Sequence, residues 1–222
     1  MRAMNLEGKR IIVTGGASGI GRATAINCAS KGALVFVADV DGVQAIDVAK
    51  QIEIKGGCAW PFRTDVSDEN QVTSLIKTAE KSMNGIDGLV TAAGIGTNPL
   101  TPIEEFKIEE WERVIGINLT GSFLCAKYAS AAMKRSGGGV IVMIASGAGV
   151  SEPASMYGYG ASKGGVNGLG MTLESKLAKD NIRVNVVCPG EIETPMMIDN
   201  LENLALKDTS EAERSKLRRK SL

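Results

Sequence analysis

Short apolar runs rich in β-branched residues alternate along the chain with longer stretches in which apolar positions recur every three or four residues. The runs predict buried strands, and the stretches between them predict amphipathic helices. Strands are predicted at residues 10–14, 34–38, 59–63, 88–91, 140–144 and 183–187, and helices at 20–31, 42–54, 69–83, 104–134 and 158–179. Because no hairpin turns interrupt this alternation, it indicates a doubly wound α/β fold, a parallel sheet covered by helices on both faces.

Length and composition fit one globular domain. The 222 residues contain no linker or low-complexity tract, and 44% are hydrophobic and 23% charged. The formal net charge is zero, which gives no electrostatic footprint for nucleic acid. No apolar run is long enough for a membrane span, and the first ten residues lack the apolar core of a signal peptide. A cytoplasmic protein without a membrane partner is therefore predicted.

The chain has no histidine at all. This excludes a Ser-His-Asp triad, a histidine general base and histidine-based zinc sites. The four cysteines, Cys28, Cys58, Cys125 and Cys188, are far apart and lie in apolar stretches, so buried free thiols are predicted rather than metal ligands or disulfides. No metal site is predicted, and proton chemistry must use Tyr, Lys, Ser, Cys or carboxylates.

A glycine-rich loop follows the first predicted strand and leads into a helix. Its residues are Gly15, Ser18, Gly19, Ile20 and Gly21. Small residues let the backbone turn tightly and approach a ligand, and the following helix offers free N–H groups to a pyrophosphate. A glycine motif alone can be a simple tight turn, but the strand–loop–helix context is the one that dinucleotide binding requires.

An acidic residue, Asp39, closes the second predicted strand, 39 − 21 = 18 residues beyond Gly21. A carboxylate at about this spacing can accept hydrogen bonds from the adenosine ribose and would repel a 2′-phosphate. Neither Ser18 nor Val40 supplies a cation for that phosphate. The sequence therefore predicts NAD rather than NADP.

Tyr159 and Lys163 are four residues apart in a predicted helix and would share one face. A nearby cation favours the phenolate and lowers a tyrosine pKa from its usual value near 10, so the pair can act as a proton shuttle. An ordinary exposed helix pair has the same spacing. Tyr157 lacks such a partner, because Ala161 lies four residues beyond it.

Six motifs, in the order in which they occur along the chain, resemble those of the short-chain dehydrogenase/reductase (SDR) family over about residues 8–195. Besides the glycine loop and the Tyr159–Lys163 pair, they include Ser146, which lies 159 − 146 = 13 residues before Tyr159. The others are Asp65-Val66 after the third strand, Asn118, and the segment from Pro189 to Thr194. Such a resemblance implies a single Rossmann-like domain spanning residues 1–222.

The resemblance implies a catalytic set of Asn118, Ser146, Tyr159 and Lys163. Tyr159 would be the acid/base, Ser146 would bind the substrate oxygen, and Lys163 would lower the tyrosine pKa and bind the nicotinamide ribose. Asn118 would link the lysine to solvent through a water. The implied cofactor contacts are Gly15, Ser18, Gly19, Ile20, Gly21, Asp39, Asp65, Val66, Ala93, Gly94, Tyr159, Lys163, Pro189, Gly190, Ile192 and Thr194.

Two departures from the family pattern stand out. Thr91 and Ala92 replace two asparagines, which predicts a local loss of hydrogen bonding without a loss of chemistry. Family members also continue through a short helix and a final strand after the segment that covers the substrate, here residues 195–222. That final strand is expected to be absent, which would leave a sheet edge exposed. A truncated product and a naturally short variant both stay open.

Together these features predict an NAD-dependent oxidoreductase that transfers hydride between NAD(H) and a secondary alcohol or ketone. The alternative is a truncated or retired member that binds the dinucleotide without turnover. Sugar, steroid, cyclic diol and acyl-thioester substrates stay open, although Asp39 disfavours the phosphate-bearing cofactor usual for 3-oxoacyl carrier-protein reductases. Glu152, Met156 and the residues after Gly94 are predicted to line the substrate pocket. A homodimer or homotetramer is expected, because the apolar faces of helices 104–134 and 158–179 are broad.

Overall fold

One parallel sheet organises the chain, and the computed structural model describes residues 5–151, 154 and 156–199 of it. In these residues the strand order is β3-β2-β1-β4-β5-β6, with every neighbouring pair parallel. The strands are β1 (Arg10–Thr14), β2 (Leu34–Asp39), β3 (Cys58–Arg63), β4 (Gly88–Thr91), β5 (Gly139–Ile144) and β6 (Ile182–Val187). The helices are α1 (Gly19–Ser30), α2 (Gly42–Ile54), α3 (Glu69–Met83), α4 (Ile108–Ile115), α5 (Gly121–Arg135) and α6 (Tyr157–Leu177).

This architecture confirms the predicted Rossmann-like single domain. The chain winds outward from β1 to β3, returns to place β4 on the other side of β1, and then winds outward to β6. The reversal opens a crevice at the carboxyl ends of β1 and β4, the usual ligand position in such sheets. In the described part of the chain β6 pairs only with β5, so it forms an edge of the sheet.

Alternation along the strands divides the core into two layers. On β1, Ile12 belongs to a cluster with α3, α5 and α6, whereas Ile11 and Val13 face a second cluster with α1 and α2. All three side chains are at least nine-tenths buried. Burial of β-branched residues on both faces is what a parallel sheet covered by two helix layers requires.

Polar side chains mark where two of the helices begin and where one ends. The Asp41 carboxylate accepts from the backbone N–H of Gln44 at the start of α2, at 3.0 Å. Asp68 accepts in the same way from Asn70 at the start of α3, at 2.8 Å. Helix α3 stops at Asn84, whose left-handed backbone (φ 58°) is a common way to end a helix.

The prediction of one long helix over residues 104–134 is wrong. A 3₁₀ turn (Ile103–Glu105) is followed by extended backbone at Phe106 and Lys107, so α4 begins only at Ile108. The Phe106 ring instead lies edge-on to Tyr157, with ring centroids 5.4 Å apart. A π-helical turn, Gly116–Thr120, then joins α4 to α5. A pattern of apolar positions does not report such a contact or such a turn, because both depend on distant residues.

The expectation that all four thiols are buried also needs correction. Cys125 is fully buried, and burial raises the pKa of its thiol to about 12. Cys28 and Cys58 are partly exposed, and Cys188, which directly follows the edge strand β6, is exposed. All four are free, as predicted.

Close packing of α6 on the sheet sets the position of the Tyr159–Lys163 pair. A Cβ at Gly170 would lie 2.1 Å from Cγ2 of Val186 on β6, whereas a Cβ at Gly168 would meet nothing within 4 Å. We therefore expect Gly170→Ala to lower the free energy of unfolding by about 1–3 kcal/mol through overpacking. Gly168→Ala should raise it by about 0.5–1 kcal/mol, because alanine is the better helix former.

Urea unfolding of both variants checks this prediction. The two glycines share one helix, so Gly168→Ala controls for helix propensity alone. Equal stabilisation by both substitutions would show that α6 does not press on β6 at Gly170.

Candidate active site

Glycines hold the first loop in contact with the loop that follows β4. Gly15 has a left-handed backbone (φ 66°), and a Cβ there would lie 2.5 Å from the backbone nitrogen of Ala93. A Cβ on Gly21 would lie 2.0 Å from the carbonyl oxygen of Gly15. No other residue fits either position without moving backbone, so the sequence pattern here reflects a steric requirement.

Asp39 bonds to the glycine loop as well as facing the crevice. One carboxylate oxygen accepts from the backbone N–H of Ala17 at 3.0 Å, and the other accepts from that of Asp41 at 3.1 Å. The residue is partly exposed. A carboxylate has about four acceptor positions, so Asp39 keeps capacity for hydroxyl donors after anchoring the loop.

A continuous cleft of about 700 Å³ runs along the carboxyl ends of the strands. This volume lies in the usual range for a small-molecule or cofactor site. The predicted residues that line it are Gly15, Ser18, Gly19, Ile20, Gly21, Asp39, Asp65, Val66, Ala93, Gly94, Ser146, Tyr159, Lys163, Pro189, Gly190, Ile192 and Thr194. Asn118 is the one predicted site residue that does not line the cleft, because it is fully buried behind the wall.

Lys163 is the buried cation of the cleft. Its side chain comes from the second turn of α6, and the residue is 5% exposed. Its Nζ donates to the carbonyl oxygen of Ile144, at the end of β5, over 2.7 Å. Burial lowers the pKa of this ammonium to about 8. Nζ lies 5.7 Å from the centre of the Tyr159 ring, so the predicted pair shares one end of the cleft.

Ser146 stands at the same end of the cleft, in the loop after β5. Its Oγ accepts from the backbone N–H of Ala148 at 3.2 Å. Among the described residues this hydroxyl has no acceptor for its own hydrogen, so it can donate to a ligand in the cleft. Like Tyr159, Ser146 is partly exposed.

Asn118 is held inside the π-helical turn by its carboxamide. Its Oδ1 accepts from the backbone N–H of Ile95 at 2.8 Å, and its Nδ2 donates to the carbonyl oxygen of Ile95 at 3.0 Å. A third bond runs from Nδ2 to the Oγ of Ser162, also at 3.0 Å. π-Turns are frequent at functional sites, and this one is fixed to the loop that borders the cleft.

The substitution of Thr91 for a family asparagine has a visible cost. The Thr91 hydroxyl is buried at the end of β4 and has no hydrogen-bond partner in the described part of the chain. An unpaired buried hydroxyl is unfavourable, in agreement with the predicted loss of local hydrogen bonding. The neighbouring Ala92 and Ala93 still line the cleft.

Several functional positions were not predicted from the sequence. Thr64, Arg113 and Ile117 also line the cleft. Of these, only Thr64 had a usable signal, because it adjoins the predicted pair Asp65-Val66. Arg113 and Ile117 lie one helical turn apart across the junction of α4 and the π-turn, and no local pattern marks them.

Part of the predicted substrate pocket can be placed. Met156 and Ile95 line the cleft, and residues 195–199 are helical beside it. Glu152 and residues 200–222 of the predicted covering segment lie outside the described residues. Among the described residues, no group of three or more His, Cys, Asp or Glu side chains is placed to hold a metal ion, and no helix is long and apolar enough to cross a membrane.

Comparison with known proteins identifies the family. The family model described as short chain dehydrogenase matches residues 9–205 of this chain. The chain belongs to the short-chain dehydrogenase family. Members are oxidoreductases that typically use nicotinamide cofactors. The question for the cleft is therefore whether its residues fit a nicotinamide dinucleotide.

Curated relatives within the family carry different substrate names. The chain is 41% identical over 186 residues to cis-4-hydroxycyclohexanecarboxylate dehydrogenase of Sinomonas cyclohexanicum, covering 84% of this chain and 74% of that one. It is 37% identical over 193 residues to a 3-oxoacyl-[acyl-carrier-protein] reductase of Thermotoga maritima, covering 87% and 78%. These two identities are too similar to favour the substrate of one relative over that of the other.

A solved structure supports the same family and fold. A short-chain type dehydrogenase/reductase from Mycobacterium marinum superposes with a TM-score of 0.85 at 35% identity. The match covers 91% of this chain and 80% of that chain. The Rossmann-like fold and the family assignment therefore agree.

Proposed function

We propose that the chain is an SDR oxidoreductase that transfers hydride between NAD(H) and a secondary alcohol or ketone, with Tyr159 as the acid/base. The observation that carries the proposal is this continuous cleft, which joins the glycine loop and Asp39 at one end to Ser146, Tyr159 and Lys163 at the other. A dinucleotide in this cleft would extend from a ribose-binding carboxylate to a proton donor.

The described residues fit a dinucleotide. Helix α1 begins directly after Ser18, whose side chain makes no capping bond. The first N–H groups of the helix are therefore available to a pyrophosphate. The glycine loop lets that anion approach the backbone closely, and Asp39 retains acceptor positions for ribose hydroxyls. Asp65, Val66 and Gly94 would border the rest of the cofactor.

The chemistry divides between the cofactor and the chain. When bound, the nicotinamide supplies or accepts the hydride. Tyr159 transfers the proton at the substrate oxygen, and Ser146 donates a hydrogen bond to that oxygen while negative charge develops on it. The Lys163 ammonium favours that charge electrostatically and can turn its remaining hydrogens toward the nicotinamide ribose. Asn118 would connect the lysine to solvent through a water.

NAD specificity is tested best by Asp39→Asn. The amide keeps an acceptor for the N–H of Ala17, loses the acceptor for the N–H of Asp41, and removes the charge that repels a 2′-phosphate. We expect the ratio of NADPH to NADH affinity, from titrations of cofactor fluorescence, to rise at least about 10-fold, because one like-charge contact is worth about 1.4 kcal/mol or more in a partly buried site. Asp41→Asn is the matched control, since asparagine caps α2 as well as aspartate does. An unchanged ratio in Asp39→Asn would mean that Asp39 does not select the cofactor.

The substrate side of the cleft combines apolar walls with two hydroxyls. Ile95, Met156, Met196 and Met197 line it beside Ser146. This lining supports a small or medium secondary alcohol or ketone with an apolar body, and the relative named for a hydroxycyclohexane carboxylate makes cyclic alcohols the first to try. Sugar, steroid and acyl-thioester substrates belong in the same panel.

Turnover of that panel tests the proposal. NADH absorbance should change with at least one alcohol or ketone and not in its absence. Firm NADH binding without turnover on the whole panel would instead favour the alternative, a member that binds the dinucleotide without catalysis.

We also propose that the chain assembles into a homodimer or homotetramer. Exposed apolar side chains on the helices predicted to pair, among them Ile108, Phe123 and Met171, support a homodimer or homotetramer. Light scattering that gives a monomer mass at micromolar concentration would refute this.

A cytoplasmic location is supported by the four free cysteines, which are typical of a reducing compartment.

A further inference from the structure

Ser162 lies between the two members of the Tyr159–Lys163 pair and is completely buried. Its Oγ donates to the carbonyl oxygen of Tyr159 at 2.8 Å and accepts from Nδ2 of Asn118 at 3.0 Å. The serine therefore joins the first turn of α6, which presents Tyr159, to the π-helical turn that holds Asn118. Neither contact reaches the cleft, so Ser162 can act only through its neighbours.

Counting donors and acceptors shows what the serine determines. A serine hydroxyl has one hydrogen, and here that hydrogen goes to Tyr159, so Oγ presents a lone pair to Asn118. The amide must therefore turn Nδ2, not Oδ1, toward Ser162. Both Nδ2 hydrogens are then used, one by Ser162 and one by the carbonyl of Ile95. Oδ1 accepts from the N–H of Ile95 and keeps a second lone pair, so toward a water the carboxamide can only accept.

The Oδ1 atom of Asn118 lies near the ammonium of Lys163. A Cβ built on Gly94 would be 3.4 Å from Oδ1 of Asn118 and 3.5 Å from Nζ of Lys163, so the two atoms are at most 3.4 + 3.5 = 6.9 Å apart. The N–H and the carbonyl of Ile95 require the same amide orientation as Ser162 does. In this orientation the Asn118 atom near the ammonium, which can only donate, is an acceptor.

We propose that Ser162 is a positioning residue: it orients the Asn118 carboxamide and ties it to the turn that carries Tyr159. The inference deepens the proposed function and rests on it for its kinetic consequence. Ser162→Ala should leave one Nδ2 hydrogen unpaired in a buried site and release the amide from the turn that carries Tyr159, so that only its two bonds to the backbone of Ile95 hold it. Misplacement of a catalytic arrangement on this scale lowers kcat by about 10-fold or more.

The matched control is Ser130→Ala in α5. Ser130 is a buried helix serine whose hydroxyl also donates to the carbonyl three residues earlier, that of Lys127, at 3.0 Å. It lies far along α5 from the π-turn and does not line the cleft. Both alanine variants lose the same helix bond, and only Ser162→Ala loses a contact with Asn118.

Kinetics and amide exchange together test the proposal. We expect Ser162→Ala to lower kcat about 10-fold with an unchanged NADH Kd, to shift the pH profile of kcat, and to speed hydrogen exchange at the Ile95 amide, whose acceptor is Asn118. Ser130→Ala should match wild type in all of these. Ser162→Thr, which keeps a hydroxyl, should restore kcat, and in an Asn118→Ala background Ser162→Ala should add less than about 2-fold.

Each outcome decides between positioning and a merely structural role. Equal losses of melting temperature in the two alanine variants, with wild-type kcat and wild-type exchange at Ile95 in both, would overturn the proposal. If wild type itself turns over no substrate, the proposed function fails, yet the exchange of Ile95 still tests the serine because it needs only folded protein. Should Ser162→Ala not fold, Ser162→Cys replaces it, since a thiol of similar shape is a weak donor and acceptor.

Discussion

Tyr159→Phe should lower kcat by at least about 100-fold, the usual contribution of a positioned acid/base, while the NADH Kd stays within about 2-fold of wild type. The phenol of Tyr159 lines the cleft at the end where Ser146 and Lys163 also lie. The ring stays in the variant, so packing is kept and only the proton donor is removed. Steady-state kinetics with the best alcohol or ketone of the panel, together with an NADH titration, measures both quantities.

Tyr157→Phe is the matched control. Tyr157 stands two residues earlier in the same helix, is 41% exposed, and packs edge-on against Phe106 rather than lining the cleft. This variant should keep wild-type kcat. A loss of activity in Tyr157→Phe equal to that in Tyr159→Phe, or wild-type activity in both, would show that Tyr159 is not the acid/base.

The sheet and its flanking helices could be predicted from the sequence because their signal is local. Each strand is a short β-branched run, and the observed bounds differ from the predicted ones by at most one residue; for example, β1 (Arg10–Thr14) was predicted at 10–14 and β6 (Ile182–Val187) at 183–187. Burial on both faces of a parallel sheet makes such runs continuous and easy to find. The glycine positions are equally legible, since Gly15 and Gly21 leave no room for a Cβ.

The features of the site that could not be predicted from the sequence depend on contacts between distant residues. The bond from Lys163 to the carbonyl of Ile144 crosses 19 positions, and the bond from Asn118 to Ser162 crosses 44. A backbone carbonyl carries no side-chain signature, so the first contact has no trace in the sequence. The π-turn at Gly116–Thr120 is hidden for the same reason, because the Asn118 carboxamide bonds across 23 positions to the backbone of Ile95.

Lys163→Met should make the protein more stable near neutral pH and almost inactive. Burial lowers the pKa of this lysine from 10.5 to about 8, so the folded chain releases a proton that the unfolded chain keeps. Between those two pH values the unfolded state binds more protons, and stability rises with pH. Below pH 8 the folded wild type carries the whole cost of the buried ammonium, up to about 3 kcal/mol, since one pKa unit corresponds to about 1.4 kcal/mol. Methionine has a similar shape and no charge to bury.

Urea unfolding from pH 7 to 10.5 measures the effect. Wild-type stability should climb across this range, whereas that of Lys163→Met should start higher and stay flat with respect to this group. Lys176→Met, an exposed position near the end of the same helix, should keep the wild-type climb. The activity of Lys163→Met should fall at least about 100-fold, because the cation beside Tyr159 is gone.

A less stable Lys163→Met at pH 7 would contradict this account. It would mean that the 2.7 Å bond from Nζ to the carbonyl of Ile144 offsets the loss of hydration. The two effects compete at one atom, and the loss of hydration on burial lowers the pKa of Lys163, so we expect that loss to dominate. A buried ammonium that costs stability in the free protein is best explained by a ligand that uses it. Stabilisation of wild type by saturating NADH should therefore exceed that of Lys163→Met, because only the wild type can give its remaining hydrogens to the nicotinamide ribose.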